Sequence, residues 1–422
     1  MLIDPSELYV STFFARQPIF APGNKIWGYE LLYRHSPKAE AALFEDSSAA
    51  TLNVLVNSIS SPCSDVLKEH NIVVNFPPRC IVQRVPYALP PSNVVIQISE
   101  NAPLPDPVVA SLLQLKVDGY TLAVDDYQGR FVPKKLLEVT DILIVDLLNA
   151  QPDRIHALLL DLGDFSGQLL AKRVETNESY ALARHLGFTL FQGFFFQRPI
   201  LVAGRKLTAT EMARMNCIKA IEDEEPDFEA IAEQISLDVS LSYRLLRLIN
   251  SAAFGLAKKV GSIKQAMVIL GLKQLKEWLR LVLLTELAPT GKSSELPYLS
   301  VLRARFLHDL AQKHRATAPD PDSLYLLGLF SLLEPILDLP AAEILQHLPL
   351  EKKLVKALCR ESSPYTSWLD VARCFETGNF SLLDALSIKL KLDSIVTAQA
   401  YFTAVRWTKA FFEITETVAS PL

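Results

Sequence analysis

The sequence of 422 residues is poor in cysteine and contains five: Cys63, Cys80, Cys217, Cys359 and Cys374. Their odd number, their wide spacing and the lack of a Cys-x-x-Cys pair argue against a disulfide framework and against a zinc site, because both need cysteines in fixed groups. Isolated reduced thiols are typical of cytoplasmic proteins. We therefore predict a cytoplasmic protein without a structural metal.

Long apolar runs and an excess of basic residues are also lacking. No uncharged apolar run approaches the ~18 residues of a membrane-spanning helix, and the first residues lack the basic and apolar segments of a secretory signal. The 42 basic residues are outnumbered by 47 acidic residues, which gives a net charge of −5. A protein that binds the phosphates of nucleic acid needs a basic excess or a basic face. These features predict neither a membrane nor a nucleic acid as partner.

Apolar residues make up half of the sequence, and their pattern divides it into two parts. A chain of this length exceeds one ordinary core, so we expect two folded domains. In the first part, short runs rich in Val, Ile and Leu alternate with helical stretches, as in parallel sheets buried on both faces. The predicted strands are 13–20, 26–33, 72–76, 94–98, 121–124, 142–145 and 168–173, and the predicted helices include 47–60 and 107–117.

This alternation of strands and helices predicts a parallel sheet that is closed or covered by helices. The first part has fewer than about 200 residues, whereas a complete (β/α)8 barrel usually has ~250. We therefore predict a shortened barrel. The turn sequence Ala21-Pro22-Gly23-Asn24 between the first two strands predicts an antiparallel hairpin at its entrance.

Beyond residue 199 the hydrophobic period becomes that of helices. Asp227 and Ser262 stand at helix-start positions, and helical periodicity continues almost to the C-terminus. The sequence thus predicts an α/β barrel domain over residues 1–204 and an all-α domain over residues 205–422. The predicted helices of the second domain include 212–221, 228–235, 240–250, 262–270 and 273–287.

A series of short motifs runs through the first domain. The motifs are, in order, Tyr29-Glu30-Leu31-Leu32-Tyr33-Arg34, Val74-Asn75, Gln97-Ile98-Ser99-Glu100, Ala123-Val124-Asp125-Asp126, Leu143-Ile144-Val145-Asp146, Ala171-Lys172-Arg173-Val174-Glu175-Thr176 and Gln192-Gly193. In order and spacing they resemble the EAL family, a modified TIM barrel that hydrolyses the second messenger cyclic di-GMP. The resemblance implies divalent metals at the C-terminal ends of the strands, where they would bridge the scissile phosphate and activate water.

By this resemblance, Glu30, Asn75, position 97 and Asp125 would hold a first metal, and Asp125 with Asp126 a second. Three positions depart from the family's pattern: Gln97 replaces a carboxylate, Ile144 replaces a lysine, and Lys172 replaces the glutamate that acts as general base. Gln97 lacks a negative charge, Ile144 has no polar group, and Lys172 would repel a metal instead of accepting a proton. We expect hydrolysis to be abolished, and we predict no catalytic residue, no metal and no cofactor.

Several polar residues of the motifs are retained and are vestigial candidates for ligand binding: Glu30, Arg34, Asn75, Glu100, Asp125, Asp126 and Gln192. The guanidinium of Arg34 suits a phosphate. The alternative interpretation is that these polar groups only support the strand ends through hydrogen bonds. If another base replaced the missing glutamate, Glu100 and Glu175 are the nearby candidates.

The second domain resembles the HDOD family, an all-helical relative of the metal-dependent HD phosphohydrolases. The motifs that carry this resemblance are the run from Ile235 to Ala252, the run Gly261-Ser262-Ile263-Lys264-Gln265-Ala266, and Ile269-Leu270-Gly271. Phe330-Ser331 stands where an HD hydrolase has its metal-binding His-Asp pair. His308-Asp309 occurs elsewhere, but metal sites need several convergent ligands, and we interpret His308 as a hydrogen-bonded structural residue.

A degenerate EAL-like barrel followed by an HDOD domain resembles bacterial EAL–HDOD signalling proteins. Both domains lack catalytic residues, so we predict a non-enzymatic regulator that acts as a scaffold or adaptor for other signalling proteins. One alternative is a receptor that binds cyclic di-GMP without hydrolysing it, and another is a residual cyclic di-GMP phosphodiesterase. The protein partner is not identified by the sequence, and homo-oligomerisation stays open.

Overall fold

The computed structural model describes residues 12–35, 70–148, 152–163, 165–198, 208–223, 225–250, 260–287, 293–315, 318–346 and 348–419. The first part of the chain forms a closed barrel of eight strands, arranged in the order of the sequence. The strands are β1 Thr12–Ala21, β2 Lys25–His35, β3 Asn71–Asn75, β4 Val94–Ser99, β5 Thr121–Asp125, β6 Ile142–Asp146, β7 Gln168–Lys172 and β8 Leu190–Gln192. The barrel and the helices that follow it confirm the predicted fold class.

Strand β1 is antiparallel to both of its neighbours, β2 and β8, and the pairs from β2 to β8 are parallel. The antiparallel hairpin predicted at the entrance is thereby confirmed. Strand β8, which closes the barrel by pairing Gln192 with Ile19 and Phe191 with Phe20, was not among the predicted strands. Its three residues are too few to show a hydrophobic period, and tertiary pairing alone makes them a strand.

The interior of the barrel is filled by one cluster of buried apolar side chains. Side chains alternate between the two faces of a strand, so every second residue of a strand faces the barrel interior. Branched aliphatic residues dominate the cluster, as in other eight-stranded barrels. Its members are Ile19, Val73, Val95, Ala123, Ile142, Ile144, Leu170 and Leu190.

The helices described between the strands are α1 Pro78–Val82, α2 Asp106–Val117, α3 Lys134–Leu137, α4 Pro152–Leu162 and α5 Asn177–His185. The helix predicted at 107–117 is confirmed as α2. The helix predicted at 47–60 lies outside the described residues. Helix α5 begins with a capping box in which the side chain of Thr176 accepts a hydrogen bond from the backbone N–H of Ser179.

The rest of the described chain is helical. Its helices are α6 Ala209–Glu222, α7 Phe228–Leu237, α8 Val239–Ile249, α9 Ile263–Leu270, α10 Leu272–Leu287, α11 Glu295–Lys313, α12 Pro321–Phe330, α13 Leu333–Leu337, α14 Ala341–Leu345, α15 Lys352–Leu358, α16 Thr366–Thr377, α17 Phe380–Leu390 and α18 Ser394–Ala419. The helices α6 to α10 confirm the predicted ones within a few residues at each end.

Both predicted helix starts are confirmed. Asp227 caps α7 by accepting hydrogen bonds from the backbone N–H groups of Glu229 and Ala230 at 2.9 and 3.1 Å. Ser262 caps α9 through the backbone N–H of Gln265. A short polar side chain at this position satisfies N–H groups that have no partner within the helix.

The chain divides into two compact units that are not simple halves. The first comprises Met1–Arg198 with Val371–Gln399, and the second comprises Pro199–Asp370 with Ala400–Leu422. The division into residues 1–204 and 205–422 therefore stays a prediction, since it assigns 371–399 to the second domain. Among the helices that the structure describes, none is long and apolar enough to cross a membrane.

Candidate functional site

A layer of polar side chains covers the apolar interior at the C-terminal ends of the parallel strands. Most of them stand two residues beyond a member of the core cluster and therefore share its orientation towards the barrel axis. We call this layer the barrel mouth and define it by six residues: Glu30, Asn75, Gln97, Asp125, Lys172 and Gln192. The sequence predicted that these positions lie together, and four of them, Glu30, Gln97, Asp125 and Gln192, are buried.

The carboxylate of Glu30 receives three polar contacts. Gln192 donates from Nε2 to Oε2 at 2.6 Å, and Gln97 donates from Nε2 to Oε1 at 3.2 Å. The Lys172 ammonium lies 3.6 Å from Oε1. The carboxylate is buried, so these contacts replace the water that it would otherwise bind.

Asp125 is engaged in the same way. Its Oδ2 accepts hydrogen bonds from Gln97 Nε2 at 2.7 Å and from Lys172 Nζ at 2.8 Å. Its Oδ1 accepts from the backbone N–H of Asp126 at 2.8 Å. The two carboxylates thus share one amide donor and one ammonium. The amide of Gln97 must present its NH2 group to them, because its oxygen would be repelled by both.

Lys172 carries a firmly held positive charge. Burial by itself would lower the pKa of this ammonium, but the charges of Glu30 and Asp125 and the hydrogen bond to Asp125 raise it well above the usual value. At any physiological pH the group is therefore a cation that donates to carboxylates. It does not accept a proton, which is what a general base must do.

Ile144 belongs to the core cluster and is only 3% exposed. It supports the polar layer from below and offers no hydrogen bond to it. Asn75, the last residue of β3, is exposed at the rim. The side chain of Arg34 lies outside the described part of the chain, although its backbone belongs to β2.

The donor set does not fit a divalent metal. A hard cation needs several oxygen ligands around it, whereas here an ammonium lies between the two buried carboxylates and Gln97 presents N–H groups to them. Among the described residues, no group of three or more His, Cys, Asp or Glu side chains is arranged to hold a metal ion. The mouth can hold its carboxylates in place without a metal, since Lys172 neutralises part of their charge.

Asp126 differs from its neighbour in backbone and in charge. It adopts a left-handed conformation with φ of 53°, which few residues other than Gly, Asn and Asp do easily. Burial, and then the charge of Asp125, raise the pKa of Asp126, against the lowering effect of Lys172 and Arg173. The ionised Asp126 therefore destabilises the folded state.

We expect Asp126→Asn to stabilise the protein at pH 7, by a few tenths of a kcal/mol after allowance for the partial exposure of the site. Because the pKa of the folded state is raised, the wild type gains stability as the pH falls through that pKa. The advantage of the variant should therefore shrink and disappear below about pH 4. Denaturant unfolding at several pH values tests this. Asp338→Asn is the matched control for the left-handed backbone, since Asp338 has φ of 51°.

The carboxylate of Glu100 is engaged by the backbone of a loop. Its buried carboxylate accepts hydrogen bonds from the backbone N–H groups of Gln128, Arg130 and Phe131. A carboxylate with three backbone donors anchors the loop that follows β5, and we assign it this structural role. Of Glu175, the other candidate base, the structure shows that its carbonyl accepts from Arg198 Nε at 3.3 Å.

One charged pair next to the mouth was missed by the sequence analysis. Arg173 and Asp146 form an ion pair, and Arg173 is left-handed with φ of 57°. The two residues stand at the ends of β7 and β6, where Asp146 pairs in register with Lys172. Both residues lie within the motifs named above. Their position at the ends of neighbouring strands was the feature of the sequence that could have predicted the ion pair.

In the helical part, the positions of the HD pair are structural. Phe330 is buried, and Ser331 accepts a hydrogen bond from Arg303 Nη1 at 2.9 Å and donates to the carbonyl of Gly328 at 2.7 Å. His308 contacts Asp309 at 3.2 Å through Nδ1. Its other ring nitrogen contacts the amide of Gln312 at 3.2 Å. This geometry agrees with hydrogen bonding by His308, and no cluster of metal ligands is found around it among the described residues.

Comparisons with known proteins agree with this architecture. A family model described as the HDOD domain matches residues 208–342. The uncharacterized protein YuxH of Bacillus subtilis is 32% identical over 403 residues, which cover 94% of this chain and 97% of that protein. Cyclic di-GMP phosphodiesterase CdgJ of Vibrio cholerae is 28% identical over 403 residues, which cover 94% and 93%.

A solved structure of BlrP1 from Klebsiella pneumoniae, in complex with calcium and cyclic di-GMP, is also similar. The identity is 25% and the TM-score 0.39, over 47% of this chain and 58% of that one. The resemblance drawn from the motifs is confirmed. With a barrel that is followed by an HDOD domain, and with likeness to YuxH over nearly the whole length of both, the chain belongs to the EAL–HDOD family of bacterial signalling proteins.

Proposed function

We propose that this protein is a non-enzymatic regulator in cyclic di-GMP signalling, with a barrel that does not hydrolyse the dinucleotide. It works through protein contacts, as a scaffold or adaptor for other signalling proteins. The family supports the signalling role, since its relative CdgJ is named a cyclic di-GMP phosphodiesterase. The loss of hydrolysis is argued from the barrel mouth.

The observation that carries the proposal is the position of the Lys172 ammonium, 2.8 Å from Asp125 Oδ2 and 3.6 Å from Glu30 Oε1. A metal-dependent hydrolase needs those carboxylates for its metal and a base for its water. Here the carboxylates bind the protein's own cation, and the residue that resemblance assigns to the base is that cation. The side chain of Lys172 therefore takes the carboxylates from the metal and also replaces the base.

The charge of the site agrees with this interpretation. By resemblance to the EAL pattern, the change at position 97 removes one negative charge, the change at 144 removes one positive charge, and the change at 172 exchanges a negative charge for a positive one. The site is thereby more positive by two charges, as many as a single divalent cation carries. The three substitutions together therefore supply the positive charge that one divalent metal would bring, and Lys172 neutralises part of the carboxylates' charge.

Two other functions compete with the scaffold. CdgJ, which matches this chain over nearly its full length, is named a phosphodiesterase, and this favours a residual phosphodiesterase. Against it, the carboxylate of Glu100, a candidate base, is already hydrogen-bonded to the backbone of its loop. The vestigial candidates at the rim, such as Asn75, favour a receptor that binds the dinucleotide without cleaving it. Binding and product formation separate all three functions.

We expect the full-length protein, incubated with cyclic di-GMP and either Mg²⁺ or Mn²⁺, to form no linear product above the level of Asp125→Asn. Loss of a general base alone lowers rates by about 10²- to 10⁴-fold. Chromatography of the nucleotide and calorimetric titration are the measurements, and an active EAL phosphodiesterase is the positive control.

Each outcome decides between the functions. Intact nucleotide without binding supports the scaffold, and cross-linking and light scattering of the full chain then address its partners and its oligomeric state. Saturable binding with intact nucleotide makes the barrel a receptor and refutes a pure scaffold. Metal-dependent product that disappears in Asp125→Asn refutes the proposal and establishes a phosphodiesterase.

A further inference from the structure

We propose that the Lys172 ammonium is the built-in cation of the barrel mouth, and that its removal uncovers a binding site for a small cation between Glu30 and Asp125. In the wild type the site takes no divalent metal because a tethered cation already fills it. This inference concerns what the mouth binds and does not depend on the scaffold role proposed above.

The first argument is electrostatic. Glu30 and Asp125 are each only 4% exposed, and two neighbouring buried carboxylates repel each other unless a cation lies near both. The Lys172 ammonium contacts one oxygen of each. Gln97 and Gln192 donate hydrogen bonds to the carboxylates but bring no charge. When the ammonium is absent, the two carboxylates therefore have to take up either a proton or another cation.

The second argument concerns access. The Lys172 side chain is 22% exposed, whereas the side chains of Glu30 and Asp125 are 5% and 6% exposed. The ammonium thus stands between the carboxylates and solvent. Truncation of its stem opens a path from solvent to the two oxygens and leaves the place of the ammonium free for an ion.

The third argument is an unused oxygen. Gln97 is fully buried, and its Oε1 accepts no hydrogen bond in the part of the chain that the structure describes. As long as no metal lies between the carboxylates, the NH2 group of this amide has to face them. With a metal between them, the amide can turn, and its oxygen joins Glu30 Oε1 and Asp125 Oδ2 as a ligand. Carboxylate and amide oxygens are the ligands of hard divalent cations.

The backbone around the site is held independently of the ammonium. Lys172 pairs in register with Asp146 in the sheet, and its carbonyl accepts from the backbone N–H of Leu147 at 3.0 Å. Substitution of the side chain therefore leaves strand β7 in place. The backbone that carries Glu30, Gln97 and Asp125 keeps the position that the barrel gives it.

The test compares Lys172→Ala with the wild type in full-length protein. We expect the variant to bind Mn²⁺ at a single saturable site, measured by the loss of the free Mn²⁺ signal in electron paramagnetic resonance. At saturating Mn²⁺ or Mg²⁺ its melting temperature should rise by about 5 °C or more. The wild type should show neither effect.

The matched control is Lys116→Ala. Lys116 also forms an ion pair with an aspartate, 2.5 Å from Asp141 Oδ1, and both side chains are about one-third exposed. Its removal deletes a Lys–Asp pair of the same barrel without uncovering buried carboxylates. We expect this variant to bind no Mn²⁺ at a saturable site and its melting temperature not to respond to divalent ions.

Alkylammonium ions provide a second measurement. If the place of the ammonium is what Mn²⁺ occupies, ethylammonium should raise the melting temperature of Lys172→Ala and displace its Mn²⁺, without effect on Lys116→Ala. Lys172→Ser, which also truncates the stem, serves as the second variant if Lys172→Ala does not fold. Mn²⁺ binding by wild-type protein that Asp125→Asn abolishes would overturn the inference, and so would a folded Lys172 variant that binds neither ion.

Failure of the cation inference can be distinguished from failure of the proposed scaffold function. Saturable binding of cyclic di-GMP to metal-free wild type would refute the pure scaffold and leave the built-in cation intact. A wild type that binds Mn²⁺ in its mouth but cleaves nothing would refute the built-in cation alone.

Discussion

Alanine in place of Gly193 is expected to prevent the barrel from closing, with a loss of at least about 4 kcal/mol in the free energy of unfolding. Gly193 follows β8 with φ of 151°, a conformation that residues with a side chain rarely adopt. An added Cβ would lie 2.0 Å from the carbonyl oxygen and 2.4 Å from the nitrogen of Val174. Both atoms are backbone, so no side chain can move aside to relieve the overlap.

The clash would disrupt the backbone hydrogen bonds of Val174, which join the residues after β7 to the end of β8. Val174 donates to the carbonyl of Gln192 at 2.9 Å and accepts from the N–H of Phe195 at 3.0 Å. Gln192, next to the substituted residue, is a donor to Glu30 in the barrel mouth. The variant should therefore also disturb the contacts of the mouth.

Thermal and denaturant unfolding measure the effect, and Gly187→Ala is the matched control. Gly187 also has a positive φ, 91°, but an added Cβ meets nothing within 4 Å. Its substitution adds backbone strain of about 1–2 kcal/mol and no clash. Equal losses in the two variants would show that the close approach to Val174 is unimportant.

Glu222→Leu is expected to destabilise the helical unit by about 3–5 kcal/mol, because it leaves a buried guanidinium without its carboxylate. Glu222 on α6 and Arg280 on α10 form a two-pronged ion pair, with Arg280 Nη2 at 2.6 Å from Glu222 Oε2. Their side chains are 6% and 11% exposed. The guanidinium also lies over the ring of Tyr325, with 5.3 Å between Cζ and the centroid.

A double-mutant cycle separates the pair from the packing around it. Glu222→Leu with Arg280→Met removes both charges, and we expect this double variant to be more stable than Glu222→Leu alone, since no buried charge is left unpaired. Melting temperatures and hydrogen-exchange protection of α6 and α10 are the measurements. A double variant that loses as much stability as the sum of the two single variants would mean that the charges do not interact.

Much of the fold could be predicted from the hydrophobic pattern. Strands β3 to β7 are nearly continuous apolar runs, as parallel strands buried on both faces tend to be. The helix starts at Asp227 and Ser262 were readable because a cap is a local interaction between residues at most three positions apart. Strand β8 could not be found in this way, because its pairing with β1 joins residues about 170 positions apart.

The motifs allowed us to name the residues of the candidate site, but they did not predict the contacts between these residues. Motif order identified Gln97, Ile144 and Lys172 as departures from the family's pattern, because each changes the charge or polarity of a position next to a strand end. The motifs did not show that Lys172 and Gln97 converge on the same oxygen of Asp125. They also did not show that the carboxylate of Glu100 accepts three backbone hydrogen bonds from the loop after β5.

The sequence by itself determined the barrel, the helices after it, the family, and the three substitutions at the mouth, because all of these depend on residue type and on spacing along the chain. The tertiary structure decided which contacts the substituted residues make. The pairing of β5, β6 and β7 in one sheet brings Lys172 on β7 within 2.8 Å of Asp125 on β5, across strand β6. A lysine in place of a base indicates a lost reaction, but a lysine between two buried carboxylates is a bound cation, and distance and burial distinguish the two.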